Sequence, residues 1–399
     1  MMLLGLWAGL ALQIKPGIAY AALPARAGDE IAYAATIRVP TPMSARERAA
    51  WIVLGESLLE GTRDYSRDTL LSYGSQAGRR PQVVVGDGLM RIEISAPALG
   101  GAAVAVPMLA SMVTNPLLGP EELNESRRRA SRPPSTVWNL GSQPWNLEIA
   151  LVRDVEVREL YAWAFRPEWV TLSVGGAFKP VDSAHLRGQF ADWTPGPGPR
   201  LRPGKDAALR STTGKSAGWL GLVGPMISAN STELPAMVLC ATALGVGKGS
   251  LLHRVIRDQD ALSYRQEAFI RPDGQGFRLH VRLASQRMPE TDALRVRMIE
   301  SVRRWIETDR ERAVALARAN LTRGLTVGPI WLDDSGPYVP SAEGDAAWAG
   351  VFGALGVTPL RPGLLAEALD SVSLEQIKAM TEQALAVAIP QRISGTPSP

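Results

Sequence analysis

The chain has 399 residues, a length typical of two ordinary domains. Hydrophobic residues make up 46% and charged residues 21% of it, which is the composition of a globular protein with packed cores. Its 43 basic and 39 acidic residues leave a net charge of only +4, so the charge gives no reason to expect nucleic-acid binding. The single cysteine, Cys240, excludes an intrachain disulfide and a cysteine-rich zinc site.

The N-terminal segment has two features of a secretory signal peptide. Met1–Leu12 is apolar, and Ala19–Ala21 forms a small-x-small cleavage site. A basic region before the apolar run is missing. The pattern predicts a signal peptide over residues 1–22 and a periplasmic or otherwise exported protein. The alternative is a frayed terminus or first strand of a cytoplasmic protein. No later stretch has about 18 uninterrupted apolar residues, so we expect no transmembrane segment in the mature chain.

Local patterns in the first half predict alternating strands and helices. Ser44 and Glu47 form a capping box at the start of a helix, and Gly86–Gly88 is a turn between two strands. The predicted elements are a strand at Ile31–Val39, a helix at Ala45–Leu59, strands at Val83–Val85 and Leu89–Ser95, helices at Val104–Asn115 and Glu121–Ser131, and a strand at Trp169–Gly175.

A Pro/Gly-rich run at residues 194–205 predicts a linker, because it supports neither a helix nor a central strand. A similar order of elements follows it. The predicted elements are strands at Trp219–Val223, Ser263–Ile270 and Gly276–Ala284, and helices at Glu233–Leu244, Leu251–Arg257, Glu290–Asp309, Ala313–Leu325, Ala342–Gly353 and Leu374–Ala388. The tail from Pro390 is expected to be irregular. We predict an α+β protein with two similar αβ sandwich halves, residues 31–193 and 206–389.

Several segments, in this order, resemble the insulinase/pitrilysin-type zinc peptidases. The family's first helix reads H-x-x-E-H-x-x-x-x-G-T, and an N-P-x-F-x-x-E-E-L segment follows it. The resembling segments are Leu54–Thr62, Met112–Leu123, Val170–Pro180, Leu244–Arg257 with Ala261–Tyr264, and Val372–Ile377. The resemblance covers residues 31–388 and implies the family's fold of two similar halves.

The residues of the zinc site are missing from the matching positions. Active members bind zinc through the two histidines of the motif and a distant glutamate, while the motif glutamate activates the metal-bound water. Aligned on the Gly-Thr pair, the two histidine positions are Ile52 and Glu56, the general-base position is Gly55, and the third ligand position is Glu125. The resemblance therefore implies a non-catalytic homologue without a metal of its own. For both glutamates we expect an ordinary role on a helix surface rather than zinc ligation.

A second-half feature of the family is retained. In two-chain members the metal lies on one subunit, and an arginine and a tyrosine from the other subunit face it. Arg257 and Tyr264 match that pair, and their donors suit a peptide carbonyl or a developing oxyanion. The loop of Gly245, Gly247 and Gly249 resembles the substrate-handling loop of non-catalytic subunits, although it is shorter. Alternatively, Arg257 is a charge at a helix C-terminus and Tyr264 a strand residue at the edge of the core.

The resemblance implies a non-catalytic, substrate-positioning subunit of a heterodimeric zinc peptidase that acts on peptides. The partner subunit would carry the zinc and an intact H-x-x-E-H motif, and this chain would carry no cofactor. The alternative is a purely structural or peptide-binding homologue without a role in catalysis. Neither alternative involves nucleic acid.

Overall fold

The structure, a computed structural model, describes residues 17–39, 43–77, 79–131, 147–194, 218–228, 233–259, 265–285, 329–332, 338–357 and 389–394, with isolated positions at 261, 296, 300, 315, 372, 373, 375, 376, 379, 380 and 382. Five predicted features lie wholly or largely outside these residues. They are the signal peptide at 1–22, the linker at 194–205 and the helices Glu290–Asp309, Ala313–Leu325 and Leu374–Ala388.

The first half builds a five-stranded sheet in the order β1-β5-β2-β4-β3. Its strands are β1 (Ala19–Ala22), β2 (Glu30–Arg38), β3 (Gln82–Val85), β4 (Leu89–Pro97) and β5 (Val170–Gly176). Its helices are α1 (Ala45–Ser57), α2 (Arg67–Ala77), α3 (Ala102–Thr114), α4 (Pro120–Ala130), α5 (Leu147–Leu151), α6 (Asp154–Ala164) and α7 (Pro180–Gln189).

The second half builds a four-stranded sheet in the order β7-β8-β6-β9. Its described elements are β6 (Gly218–Ser228), α8 (Leu234–Gly245), a π-helical segment at His253–Gln259, β7 (Arg265–Pro272), β8 (Gly276–Ser285), α9 (Ala342–Ala354) and β9 (Ile389–Ser394). The second sheet, written as β9-β6-β8-β7, has the same antiparallel strand order as β5-β2-β4-β3 in the first sheet. The strands correspond one to one along the chain: β6 to β2, β7 to β3, β8 to β4 and β9 to β5. The prediction of two similar α+β halves is therefore confirmed.

Helix α1 begins where its sequence predicts. The Ser44 side chain accepts a hydrogen bond from the Glu47 N–H at 3.2 Å, and the Glu47 carboxylate accepts one from the Ser44 N–H at 2.7 Å. This reciprocal box satisfies two N–H groups that have no partner within the helix. The apolar side chains of α1 then pack with α3 and one face of the first sheet in a single large core.

The boundary between the halves differs from the sequence division in one respect. Helix α9 comes from the second half of the chain but lies on the first sheet, in contact with β5, β2 and β1. Its opposite side packs with the second half, where the Phe352 and Phe277 rings are 5.3 Å apart. The helix is thus shared between the two sheets, so residues 31–193 and 206–389 are not independent packing units.

Both ends of the described chain form strands. At the N-terminus, β1 pairs in parallel with β5. Strand β1 corresponds to the first strand that the sequence analysis gave as an alternative to a signal peptide. At the C-terminus, β9 pairs with β6 from Ile389 to Ser394. The prediction of an irregular tail from Pro390 was therefore wrong, and the second half extends beyond residue 389. The pairing partner of β9 is distant in sequence, and local patterns carry no information about it.

Within the described residues, no helix has the length and apolar character needed to cross a membrane.

Candidate functional site

The first-half site lies where α1 packs against α4, beside the edge strand β3. A short bridge between Thr62 and Pro116, with a 3.0 Å hydrogen bond from the Leu117 N–H to the Gly61 carbonyl, ties the end of α1 to the connection before α4. The two segments that resemble the family motifs, Gly-Thr and Asn-Pro, therefore meet in space. Their local role is to fix how the two helices approach each other.

The first histidine position and the general-base position are both incompatible with zinc-peptidase chemistry. Ile52 is partly buried against the apolar core and has no ligand atom. Gly55 is buried, and a Cβ added there would lie 2.3 Å from Val85 Cγ2 on β3. A side chain at position 55 would require the Val85 side chain to move. The general base is thus absent, and the space it would need is filled by Val85.

The second histidine position, Glu56, belongs to a charged cluster. Burial raises the pKa of Glu56, and nearby Arg129 and Glu60 act on it in opposite directions. Glu60, four residues later and just beyond the end of α1, is 8% exposed. Its Oε1 lies 2.6 Å from Arg129 Nη1, and its Oε2 lies 3.5 Å from Arg67 Nε. Burial also raises the pKa of the Glu60 carboxyl, which Arg129 and Arg67 partly offset.

The predicted third ligand, Glu125, pairs with the same arginine. Its Oε1 lies 3.1 Å from Arg129 Nε, and its Oε2 lies 2.5 Å from Arg128 Nη2. The hydrogen bonds from Arg128 and Arg129 lower the pKa of Glu125. Glu125 thus makes the i,i+3 and i,i+4 ion pairs of a helix surface, and Arg129 also acts on the ionisation of Glu56.

These residues do not fit a catalytic zinc ion, which takes about three protein ligands and an activated water. The site offers carboxylates without histidine, and a guanidinium lies between them. Across the described part of the chain, no group of three or more His, Cys, Asp and Glu side chains is arranged to hold a metal.

Two residues of this cluster, Glu60 and Arg129, were not identified from the sequence. The signal that could have found them is an acidic pair four residues apart, Glu56 near the end of the motif helix and Glu60 just beyond it, together with three consecutive arginines at residues 127–129. Such patterns usually mark a solvated helix face. Only the packing of α1 on α4 distinguishes this buried cluster from that common case.

The second-half residues are only partly described. Arg257 is exposed within the π-helical segment, and Tyr264 lies outside the described residues. Gly245 ends α8 against β7, where an added Cβ would lie 2.0 Å from the Ala268 nitrogen. Gly247 has a φ of +81°, in the left-handed region that favours glycine, and Gly249 is exposed. Close packing and backbone conformation therefore account for Gly245 and Gly247 without a ligand.

The fold and the site define a class: a protein of two repeated α+β halves whose peptidase-type helix carries neither the metal ligands nor the general base. A scan against protein-family models and a search of curated proteins each found no match. Solved structures are similar over nearly the whole chain.

A protease from Helicobacter pylori matches with a TM-score of 0.71 at 10% identity, covering 95% of this chain and 97% of that one. The peptidase M16 inactive domain from Pseudomonas fluorescens matches with a TM-score of 0.70 at 14% identity, covering 94% and 95%. The periplasmic protease PqqL from Escherichia coli matches with a TM-score of 0.62 at 10% identity, covering 95% of this chain and 47% of that one. The chain has the peptidase M16 fold, so the resemblance deduced from the sequence is confirmed at the level of the fold.

Proposed function

We propose that this chain is the non-catalytic, substrate-positioning subunit of a two-chain zinc peptidase that acts on peptides. The observation that carries the proposal is the filled general-base position, where Val85 Cγ2 would lie 2.3 Å from a Cβ on Gly55. The zinc and an intact H-x-x-E-H motif would belong to the partner subunit. This chain would contribute donors that hold the peptide.

Two further observations support the proposal. Arg257 is exposed in this chain. Exposure is expected of a residue that a partner subunit would cover only in the complex. Among the similar structures, one is described as an inactive M16 domain, and PqqL is about twice the length of this chain. Two chains of the present size would together have about the length of that protease. Arg257 and Tyr264 are the donors we assign to substrate binding, and the loop of Gly245, Gly247 and Gly249 lies between α8 and the helix that carries Arg257.

The test is peptide cleavage by this chain co-expressed with an M16-type subunit that has an intact motif. Tyr264→Phe deletes only the hydroxyl, and Arg257→Ala removes the guanidinium. Loss of a donor to the oxyanion lowers kcat by about 10²–10³, whereas loss of a donor that only holds substrate raises KM. Arg153→Ala, which alters an exposed arginine just before α6 in the other half, is the matched control and should leave kcat/KM unchanged.

The alternative function is that of a structural or peptide-binding homologue. It predicts that both variants keep the full cleavage rate per folded complex. Measuring thermal stability and kcat/KM on the same samples distinguishes the two functions. Unchanged kinetics in both variants, with the complex intact, would refute the substrate-positioning role.

We also propose that the protein is exported, with a leader that ends before Gly17. A cut after Ala21 would remove Ile18, which is fully buried in the first core, and Tyr20, whose hydroxyl donates to Ser183 Oγ at 2.7 Å. A cut upstream keeps β1 in the sheet. N-terminal sequencing of protein from a periplasmic fraction should therefore begin at or before Gly17. An intact Met1 in the cytoplasmic fraction would contradict export.

A further inference from the structure

The segment that carries Arg257 is wound as a wide helical turn. Residues His253–Gln259 form a π-helix, in which backbone hydrogen bonds join residues five apart instead of four. The Ser250 hydroxyl fixes its start by accepting a hydrogen bond from the His253 N–H at 3.4 Å, and the fully buried Ile256 fixes its inner side. Such turns are rare and occur frequently at functional sites.

One side-chain pair spans this turn. His253 Nδ1 lies 3.3 Å from Asp258 Oδ2, and Nδ1 is the donor because a carboxylate only accepts hydrogen bonds. The other ring nitrogen, Nε2, is buried and has no hydrogen-bond partner among the described residues, so the bond to Asp258 sets the orientation of the ring. In an α-helix, side chains five residues apart point about 140° away from each other around the axis. The pair therefore requires the wide winding and in turn stabilises it.

We propose that His253 and Asp258 are positioning residues for Arg257. This inference rests on the proposed function, in which Arg257 contributes a donor that holds the peptide. Arg257 is exposed and lies inside the turn that the pair closes, next to Asp258. Since the angle between successive side chains depends on the winding, an α-helical turn would present Arg257 in a different direction. The bond between the imidazole and the carboxylate thus holds the guanidinium in the direction that the wide turn gives it.

The test uses the co-expressed peptidase complex, with Arg257→Ala as the reference variant. Asp258→Ala and His253→Phe each remove the bond, and both should lower kcat/KM by about tenfold or more, because a misplaced group holds the substrate poorly. The loss should fall on the same parameter, kcat or KM, that Arg257→Ala changes. His253→Asn should recover most of it, since the asparagine amide nitrogen can take the place of Nδ1. Gln259→Ala, at an exposed position on the same turn, is the matched control and should leave kcat/KM unchanged.

A double variant separates positioning from a direct role in binding. In the Arg257→Ala background, Asp258→Ala should have no further effect on kcat/KM, because no guanidinium is left to position. Full additivity of the two substitutions would overturn the proposal. So would unchanged kinetics of Asp258→Ala and His253→Phe in a complex that Arg257→Ala slows. Unchanged kinetics of Arg257→Ala itself is a different outcome, since it would refute the proposed function and this inference with it.

A measurement on the chain without its partner tests the structural step directly. Backbone amide hydrogen exchange over residues 253–259 should be faster in Asp258→Ala than in the natural chain, because the turn has lost the bond that closes it. His253→Asn should exchange at the natural rate. Equal exchange in Asp258→Ala and the natural chain would show that the pair does not hold the turn and would also overturn the proposal.

Discussion

The two faces of the first sheet are packed in opposite ways. One face carries large apolar side chains such as Tyr33, Ile94 and Leu172, which pack against α1 and α3 in the main core. On the other face, the residues that alternate with them along the strands are small or polar, among them Ala34 and Gly175. Helix α9 lies on this face. The first sheet therefore has a thick core of large side chains on one face and a closely packed helix on the other.

The difference shows what each kind of packing tolerates. In the large core, each side chain makes many weak dispersion contacts, and the neighbours of an altered side chain can partly adjust. Under α9 the contacts involve backbone atoms and short hydroxyl side chains. Cβ atoms added at Gly175 and Gly350 would lie 2.3 Å from the Ala342 carbonyl oxygen and 2.5 Å from Thr36 Oγ1. This second face leaves no room for relaxation unless the whole helix moves.

The largest effect is expected from Gly175→Ala. Its new Cβ would meet two backbone atoms of α9, the Ala342 oxygen at 2.3 Å and the Ala346 nitrogen at 2.4 Å. We expect a loss of at least about 4 kcal/mol or failure to fold, measured by chemical denaturation, because one methyl group must displace a helix. Gly188→Ala on α7, where no atom lies within 4 Å, is the control and should be neutral or slightly stabilising.

A truncation on the apolar face comes next. Leu172→Ala should cost about 3 kcal/mol, because Leu172 is fully buried and its removal leaves a cavity in the main core. Leu172→Met should cost less than about 1.5 kcal/mol, since the side-chain volume is nearly conserved. Equal losses from the two substitutions in denaturant titrations would mean that this face is as rigid as the face under α9.

Weakening the ion pair that anchors α9 should lower the unfolding free energy by a smaller amount. Asp345 is 2% exposed, accepts hydrogen bonds from Arg26 Nε at 2.6 Å and Nη2 at 3.0 Å, and also accepts one from the Tyr338 hydroxyl. Asp345→Asn should lower the unfolding free energy by about 2 kcal/mol, because charge-assisted hydrogen bonds are lost while the shape is kept. Arg166→Ala, which breaks the exposed pair with Glu168, should cost less than about 0.5 kcal/mol.

The smallest effect is expected at an ion pair between α1 and α6, and it depends on pH. Burial alone would raise the pKa of Glu156, but hydrogen bonds from Arg46 and Arg153 outweigh it and lower the pKa to about 2. A depressed carboxyl pKa stabilises the fold above the ordinary value and loses that contribution as pH falls toward 2. Glu156→Gln should cost about 1 kcal/mol at pH 7, and this difference should shrink steadily below pH of about 4.5.

Exposed Glu159 on the same helix provides the control for this pH series. Glu159→Gln should change the unfolding free energy by less than about 0.5 kcal/mol at each pH. A difference between Glu156→Gln and the natural chain that stays constant from pH 7 to pH 3 would contradict the role assigned to the Arg46 and Arg153 hydrogen bonds.

Much of the candidate site followed from residue types alone. Ile52, Gly55 and Glu56 identified a motif without its ligands or base, and the structure adds that Val85 fills the space beside Gly55. The counter-charge on Glu56 could not be predicted in the same way. Arg129 is more than 70 residues away in sequence, and only the packing of α1 against α4 brings the two together.

The sequence by itself determined several local elements of the described chain, because capping, alternation and turn chemistry act between residues close in the chain. The Ser44–Glu47 box and the period-two pattern of β2 are clear cases. Helices α2, α5, α6 and α7 were not predicted. Only the tertiary structure decided that Arg91 and Glu93, on the polar face of β4, are buried as a pair. Alternation shows that a strand has two unlike faces, but whether the polar face meets water or another element depends on contacts distant in sequence. Helix α9 and the second half make those contacts here, and they turn an apparent surface into an interface between the halves.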